Sequence, residues 1–245
     1  MRKAFYILFL QVFAFAGISQ NLVRNPSFED TISCPDDFDQ LKRTSYWYSP
    51  TDGSPDLYHS CNIGDQGIPS NLAGYQFART GNAYAGFFAS IGINRREYIQ
   101  SKLSDTLDSN NVYIIEFYVS LADSYQVAVN NIGVYFSADS FHVFSNQPLN
   151  NNPQIVNPIS NQLTNKDTWQ KIRAKYKAQG NESHITIGNF NNDSLTDTTY
   201  VGGNWMFSYY YIDDVSLVLD TCGDDTTKFA PTICQGETYT YNTKT

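Results

Sequence analysis

Residues Val112–Leu121 alternate strictly: Tyr113, Ile115, Phe117, Val119 and Leu121 fall on one side of an extended chain, and Ile114, Glu116, Tyr118 and Ser120 on the other. Side chains of a strand point to opposite faces in turn, so this pattern predicts a strand with one face in a core and a second face only half wet. Residues 169–177 alternate more sharply, with Ile172, Ala174 and Tyr176 set against Lys171, Arg173, Lys175 and Lys177, which predicts a strand with one solvated face. Residues 131–137 follow the first of these strands after a polar turn and are expected to pair beside it. Gly180-Asn181 is expected to form a hairpin turn into a strand at 184–190, where Ile185 and Ile187 face the core. A last strand is expected at 209–219.

Two stretches depart from this pattern. Residues 31–71 are rich in Pro, Asp, Ser and Gly and are expected to form a long excursion over one end of the domain. Residues 147–166 are rich in Asn and Pro. A structureless loop of that length is unusual inside a domain, so Ile155 and Ile159 are expected to mark a short edge strand, where Pro153 and Pro158 are tolerated. Nothing past residue 19 shows a sustained helical period, and the chain is expected to be all-β.

Residues 1–19 begin with Arg2 and Lys3, continue through an apolar run and end in small residues around Gly17 and Ser19. The run is too short to span a bilayer, so a secretory signal peptide is expected, cut before Gln20, leaving a mature chain with no transmembrane segment. A sandwich is expected over residues 20–220. Residues 221–245 change to a polar composition and then to the alternation of Ile233 to Tyr241, expected to be a linker and the start of a second β module. The formal charge of -8 excludes a basic stripe broad enough for nucleic acid and disfavours anionic membranes. Four cysteines in an exported chain point to disulfides. Cys34 with Cys61 and Cys222 with Cys234 is the favoured pairing, since each then closes a local loop.

Asn25-Pro26-Ser27-Phe28-Glu29, Thr80-Gly81-Asn82-Ala83-Tyr84 and Tyr211-Ile212-Asp213-Asp214-Val215 occur in this order across nearly the whole of residues 21–219. They resemble the opening, the strand entry and the closing strand of carbohydrate-binding modules of the galactose-binding-like superfamily. Ser54-Pro55-Asp56, Arg96-Glu97-Tyr98-Ile99 and Ser120-Leu121-Ala122-Asp123 are similar to an N-terminal module of exported Bacteroidota surface proteins. The resemblance implies a jelly-roll β-sandwich, a secreted or cell-surface location and a calcium ion tying the opening motif to the closing strand. It implies Glu29 and Asp213 as carboxylate ligands, carbonyl oxygens from Thr80 and Gly81, and Asp214 in reserve, because strand parity sets it opposite Asp213 unless a bulge intervenes.

Sugar sites are aromatic platforms edged by hydrogen-bonding groups. Trp47 and Trp169 are expected to be structural. Trp205 follows Gly202-Gly203-Asn204 with Tyr200 nearby, and these two are the candidate ligand contacts, against the reading of Trp205 as a loop anchor. No catalytic constellation is visible: His59, His142 and His184 are scattered, and no Gly-x-Ser-x-Gly elbow occurs. Arg95-Arg96-Glu97 is expected to be a salt-bridged strand entrance. The expected function is a non-catalytic module that binds glycan or another surface polymer. The rivals are a structural or protein-interaction (adhesin) module with no sugar site and, third, a hydrolase.

Overall fold

The computed structural model describes residues 20–221. Along the chain these form β1 (Trp47–Tyr48), β2 (Asp56–His59), β3 (Ala83–Ser90), β4 (Tyr98–Lys102), β5 (Val112–Leu121) and β6 (Val127–Val129). There follow β7 (Ile132–Ser137), β8 (Ile155–Val156), β9 (Gln170–Lys177), β10 (His184–Asn189), β11 (Thr198–Tyr200) and β12 (Ser208–Leu219). Two five-stranded antiparallel sheets face each other, one ordered β1-β4-β10-β7-β8 and the other β2-β3-β12-β5-β9, with β6 and β11 forming a separate ribbon. This is the all-β sandwich that the alternation predicts.

The core between the sheets comes from one side chain in two. Ile115, Phe117, Val119 and Leu121 of β5 and Tyr210, Ile212 and Leu217 of β12 meet Ile99 of β4, Val134 of β7 and Ile185 and Ile187 of β10, all buried. The burial of a filled-in sandwich of this kind is what holds the domain together, at about 25 cal/mol per Å² of apolar surface removed from water. Because both faces of β12 carry large tyrosines, the second sheet is packed on its outer side as well. Tyr58, Tyr84, Tyr209 and Tyr211 form a second buried cluster there, roofed by Ile68, Ala73 and Ala78 of the segment that joins β2 to β3.

Three expectations about neighbours are corrected. Residues 131–137 do form a strand, but β7 pairs with β10 and β8 in the opposite sheet and not with β5. Alternation tells which face of a strand is buried and says nothing of which strand lies beside it. Gly180 and Asn181 both adopt positive φ, +90° and +88°, as their types allow, yet the bend they make is a corner between sheets and not a hairpin: β9 pairs with β5, and β10 pairs with β4 and β7. The edge strand in residues 147–166 contains Ile155 and Val156, while Ile159 lies beyond it and is exposed.

The excursion at residues 31–71 is less irregular than its composition implies. It contributes β1 to one sheet and β2 to the other, and Cys34 and Cys61 are joined in a disulfide as expected, across a sequence separation of 27. In the chain-entropy account a loop of that length is worth about 3 kcal/mol. Cys222 and Cys234, the signal peptide at 1–19 and the second module beyond 221 lie outside the described residues.

Candidate functional site

The opening and closing motifs meet at one corner. Asn21 runs alongside β12, its amide donating to the Val215 carbonyl at 3.1 Å and its oxygen accepting from the Leu217 N–H at 2.9 Å. The next turn is held by Asn25, at φ +46°, whose side chain donates to the carbonyls of Asp30 and Ser45 and accepts from the Asp30 N–H, while its own carbonyl accepts from the Trp47 indole. That turn delivers Glu29 to the 79–83 segment. Glu29 Oε1 accepts from the N–H groups of Asn82 and Ala83, both at 2.8 Å. Gly81, at φ +65°, lies beneath this carboxylate, and a Cβ there would come within 2.3 Å of Oε1, so only glycine fits.

Asp213 and Asp214 reach the same corner because the pairing of β12 with β5 shifts between Asp213 and Ser216, and Asp214 takes φ +51°. The bulge is the condition under which adjacent residues escape strand parity. Asp213 is fully buried, accepting from the N–H groups of Arg79 and Thr80 at Oδ2 and from that of Asp214 at Oδ1. Burial, reinforced by the charge of Asp214, pushes its carboxyl up to about 8 against the opposing pull of those N–H groups. Asp214 accepts from the Thr80 hydroxyl at 2.6 Å and pairs with the Arg79 guanidinium, which lies 3.5 Å from the Tyr118 ring centroid. Glu29, Asp213 and Asp214 thus each bond to the segment that holds Thr80 and Gly81. The partners of these carboxylates are N–H donors, the Thr80 hydroxyl and one guanidinium, and no group of three or more His, Cys, Asp or Glu side chains is drawn together as a metal shell among the described residues.

The tryptophans separate by environment. Trp47 is buried and tied to Asn25, and Trp169 donates to the Phe77 carbonyl at 3.0 Å while packing edge-on to Tyr84, so both are structural. Trp205 is 37% exposed and rests on Tyr125, their ring centroids 5.1 Å apart. Its loop is fixed by backbone bonds: the N–H groups of Asn204 and Trp205 donate to the Ser124 carbonyl, and that of Gln126 to the Trp205 carbonyl. Lys166 donates to the carbonyls of Asp123, Tyr125 and Gly202, clamping the same loop from below. Trp205 is thus anchored on one side and open on the other. Tyr200, at the end of β11, is 73% exposed.

Sequence reasoning missed the exposed pair Tyr75 and Phe77, edge to face at 5.6 Å on the segment that roofs the tyrosine cluster. Nothing marks them in the sequence, since their exposure depends on how that segment lies on the sheet. A shallow depression of about 480 Å³ is lined by Asn110, Asn111, Val112, Lys175, Lys177, Leu219 and Asp220, and includes neither Trp205 nor Tyr200.

No family model matches the chain, and a search of curated proteins finds no match. Among solved structures, the chain is similar to the arabinose-bound MgGH51 α-L-arabinofuranosidase, at 13% identity and TM-score 0.46, over 84% of this chain and 27% of the enzyme. It thus spans about a quarter of that protein's length. The CBM22-1 xylan-binding domain of Paenibacillus barcinonensis Xyn10C is matched at 15% identity and TM-score 0.43, over 84% of this chain and 97% of the domain. The K3 cleaved adhesin domain of Lys-gingipain from Porphyromonas gingivalis is matched at 16% identity and TM-score 0.38, over 80% and 96% of the two chains. The β-sandwich itself rests on the strand order and register of this chain.

Proposed function

We propose that the sandwich is a non-catalytic glycan-binding module displayed outside the cell, with Trp205 as the centre of its platform and Tyr200 as a second contact. The observation that supports this most directly is the state of Trp205: a rigidly anchored indole with an open side. Such a ring offers an apolar surface to the C–H side of a sugar at little entropic cost, because packing against Tyr125 already limits its motion. A site this shallow is expected to bind a single ligand no more tightly than about micromolar, and repetition on a surface would supply avidity.

A broad glycan array tests this reading. Trp205→Ala is expected to abolish retention of the glycan bound by the wild type. The melting temperature should fall by only a few degrees, about 2–4 °C for each kcal/mol of lost packing on Tyr125. Absence of glycan binding by the wild type, with specific recovery of a protein partner, would establish the protein-interaction module in its place.

We also propose that calcium binds at the corner of Glu29 and Asp213, with the Thr80 and Gly81 carbonyls completing the set of oxygens. Support comes from three carboxylates, Glu29, Asp213 and Asp214, that each accept from groups of residues 79–83, with the Arg79 guanidinium paired to Asp214. A cation bound only by the folded state, at a hundredfold excess over its Kd, adds about 2.7 kcal/mol. Exhaustive chelation should therefore lower the melting temperature by about 5–10 °C. An unchanged melting temperature would mean that the N–H groups of residues 79–83 and Arg79 close the corner without a metal.

A further inference from the structure

Among the described residues, no strand or loop covers the outer face of β12, β5 and β9 beyond the tyrosine cluster. Pairing sets its side chains in rows: Lys171 beside Tyr118, Arg173 beside Glu116 and Ser216, Lys175 beside Ile114 and Val218, and Lys177 beside Val112. The result is a wall of exposed cations on β9 over a floor of half-buried Tyr118, Ile114, Val112 and Val218. Alternate residues of a strand lie about 7 Å apart, so the wall repeats evenly over about 20 Å.

Glu116 is shared by Lys171 and Arg173 at 3.5 and 3.7 Å, and Lys175 meets Asp220 at 2.9 Å. Lys177 has no carboxylate within ion-pair distance among the described residues, and Arg79 adds a further cation over Tyr118. Among the described residues, cations thus outnumber carboxylates on this face, although the chain as a whole carries 24 acidic and 16 basic residues. Lysines on an edge strand ordinarily serve to block pairing with another sheet. That role requires neither the apolar floor nor the depression at the end of the wall, where Asn110 and Asn111 stand beside Lys175 and Lys177.

We propose that this face binds a carboxylate-bearing polysaccharide laid along β9, its acid groups on the cations, its C–H surfaces on the floor and its hydroxyls on the asparagine amides. The choice of a polysaccharide among polyanions rests on the glycan-binding reading above, but the surface shares no residue with the Trp205 platform, so the two fail separately. Other occupants fit less well. An anionic bilayer is repelled by the remaining surface of a chain of charge -8. A peptide strand added at the edge of β9 meets Asn161, whose amide already donates to the Lys171 carbonyl at 3.0 Å. Single-stranded nucleic acid favours aromatic platforms for its bases, and this floor is mainly aliphatic.

Affinity electrophoresis in polygalacturonate, alginate, neutral xylan, poly-L-glutamate and a single-stranded oligonucleotide tests the proposal. The wild type is expected to be retarded by one or both polyuronates, more at low salt than at high. Replacing Lys171, Arg173 and Lys177 together by Gln should weaken that binding by about tenfold, as three exposed ion pairs would allow, with an unchanged circular dichroism spectrum and melting temperature. Trp205→Ala should leave it intact even if it abolishes binding to neutral glycans. No retardation by either polyuronate at low salt, retardation that the triple variant retains, or equal or stronger retardation by poly-L-glutamate or the oligonucleotide would overturn the proposal.

Discussion

Arg96→Ala is expected to destabilise the fold by about 3 kcal/mol, through loss of a buried side chain and of the hydrogen bonds it donates to partly buried acceptors. The Arg96 side chain is 0% exposed, and each of its N–H groups is used. Nε donates to the Asn191 carbonyl, Nη1 to Ser90 Oγ and the Arg95 carbonyl, and Nη2 to Asp193 Oδ1 at 2.8 Å and Thr196 Oγ1 at 3.1 Å. Removing the guanidinium leaves those acceptors without their donor. It also loosens the 191–196 segment, whose remaining hydrogen bonds to residues 94–96 among the described residues are the reciprocal pair between Asn94 and Asp193. Asp193→Asn should cost less, because Asp193 is 39% exposed and the other Arg96 bonds survive. Urea unfolding of the two variants checks the order; equal stability of Arg96→Ala and the wild type would refute the account.

Of the salt-bridged entrance expected at residues 95–97, only Arg96 forms an ion pair among the described residues, with Asp193 97 residues away, while Glu97 accepts from Ser54 and the Phe88 N–H. The fold too was legible in part. Residues 112–121 and 169–177 declare themselves because each has one face in the core, and burial acts on every second side chain. Whether β7 lies beside β5 or across the sandwich depends on the path of residues 122–131, where the chain leaves one sheet for the other. The Gly180-Asn181 bend likewise reads correctly as a turn, since both residues accept positive φ, yet turn chemistry is the same for a hairpin and a sheet corner.

At the corner of the terminal motifs, Glu29 and Asp213 each bond to the 79–83 segment, and the two acidic motifs that carry them stand out in the sequence at either end of the domain. The bulge that brings Asp214 in beside Asp213 does not, because an aspartate at φ +51° leaves no trace in composition. The outer tyrosines were harder still. Tyr84, Tyr209 and Tyr211 alternate with core residues, a pattern that by itself suits a wet face, but the segment between β2 and β3 folds over them and satisfies the hydroxyls of Tyr84 and Tyr211, while that of Tyr209 donates to Asp56 of β2. Tyr211 donates to Asn71 at 2.6 Å, and Tyr84 to the Gln76 carbonyl at 3.1 Å.

Beneath the same roof, Asp56 should make the protein more stable in mild acid than in mild base. Its carboxylate is buried beside Glu97, Oδ2 accepting from the Tyr209 hydroxyl at 2.7 Å and Oδ1 from the Asp39 N–H at 2.8 Å. Burial first, and the Glu97 charge second, push its carboxyl up to about 7 from the ordinary 3.8, against the pull of those two donors. Between these values the folded chain holds a proton that the unfolded chain has released. Stability from Asp56 is therefore fully present below the unfolded value and is lost as pH rises through 7, at a slope of no more than about 1.4 kcal/mol per pH unit. Over the whole window the effect is on the order of a few kcal/mol. Glu97 is also raised by burial and falls in the same direction, so the wild-type curve alone does not isolate Asp56. Asp56→Asn does, because the amide keeps an acceptor for the surrounding donors and has no proton to lose. Urea midpoints measured from pH 4.5 to 8.5 should fall more steeply in the wild type than in the variant, with the variant gaining relative stability as the pH rises. Parallel curves would show that Asp56 titrates normally and that the tyrosine layer admits water.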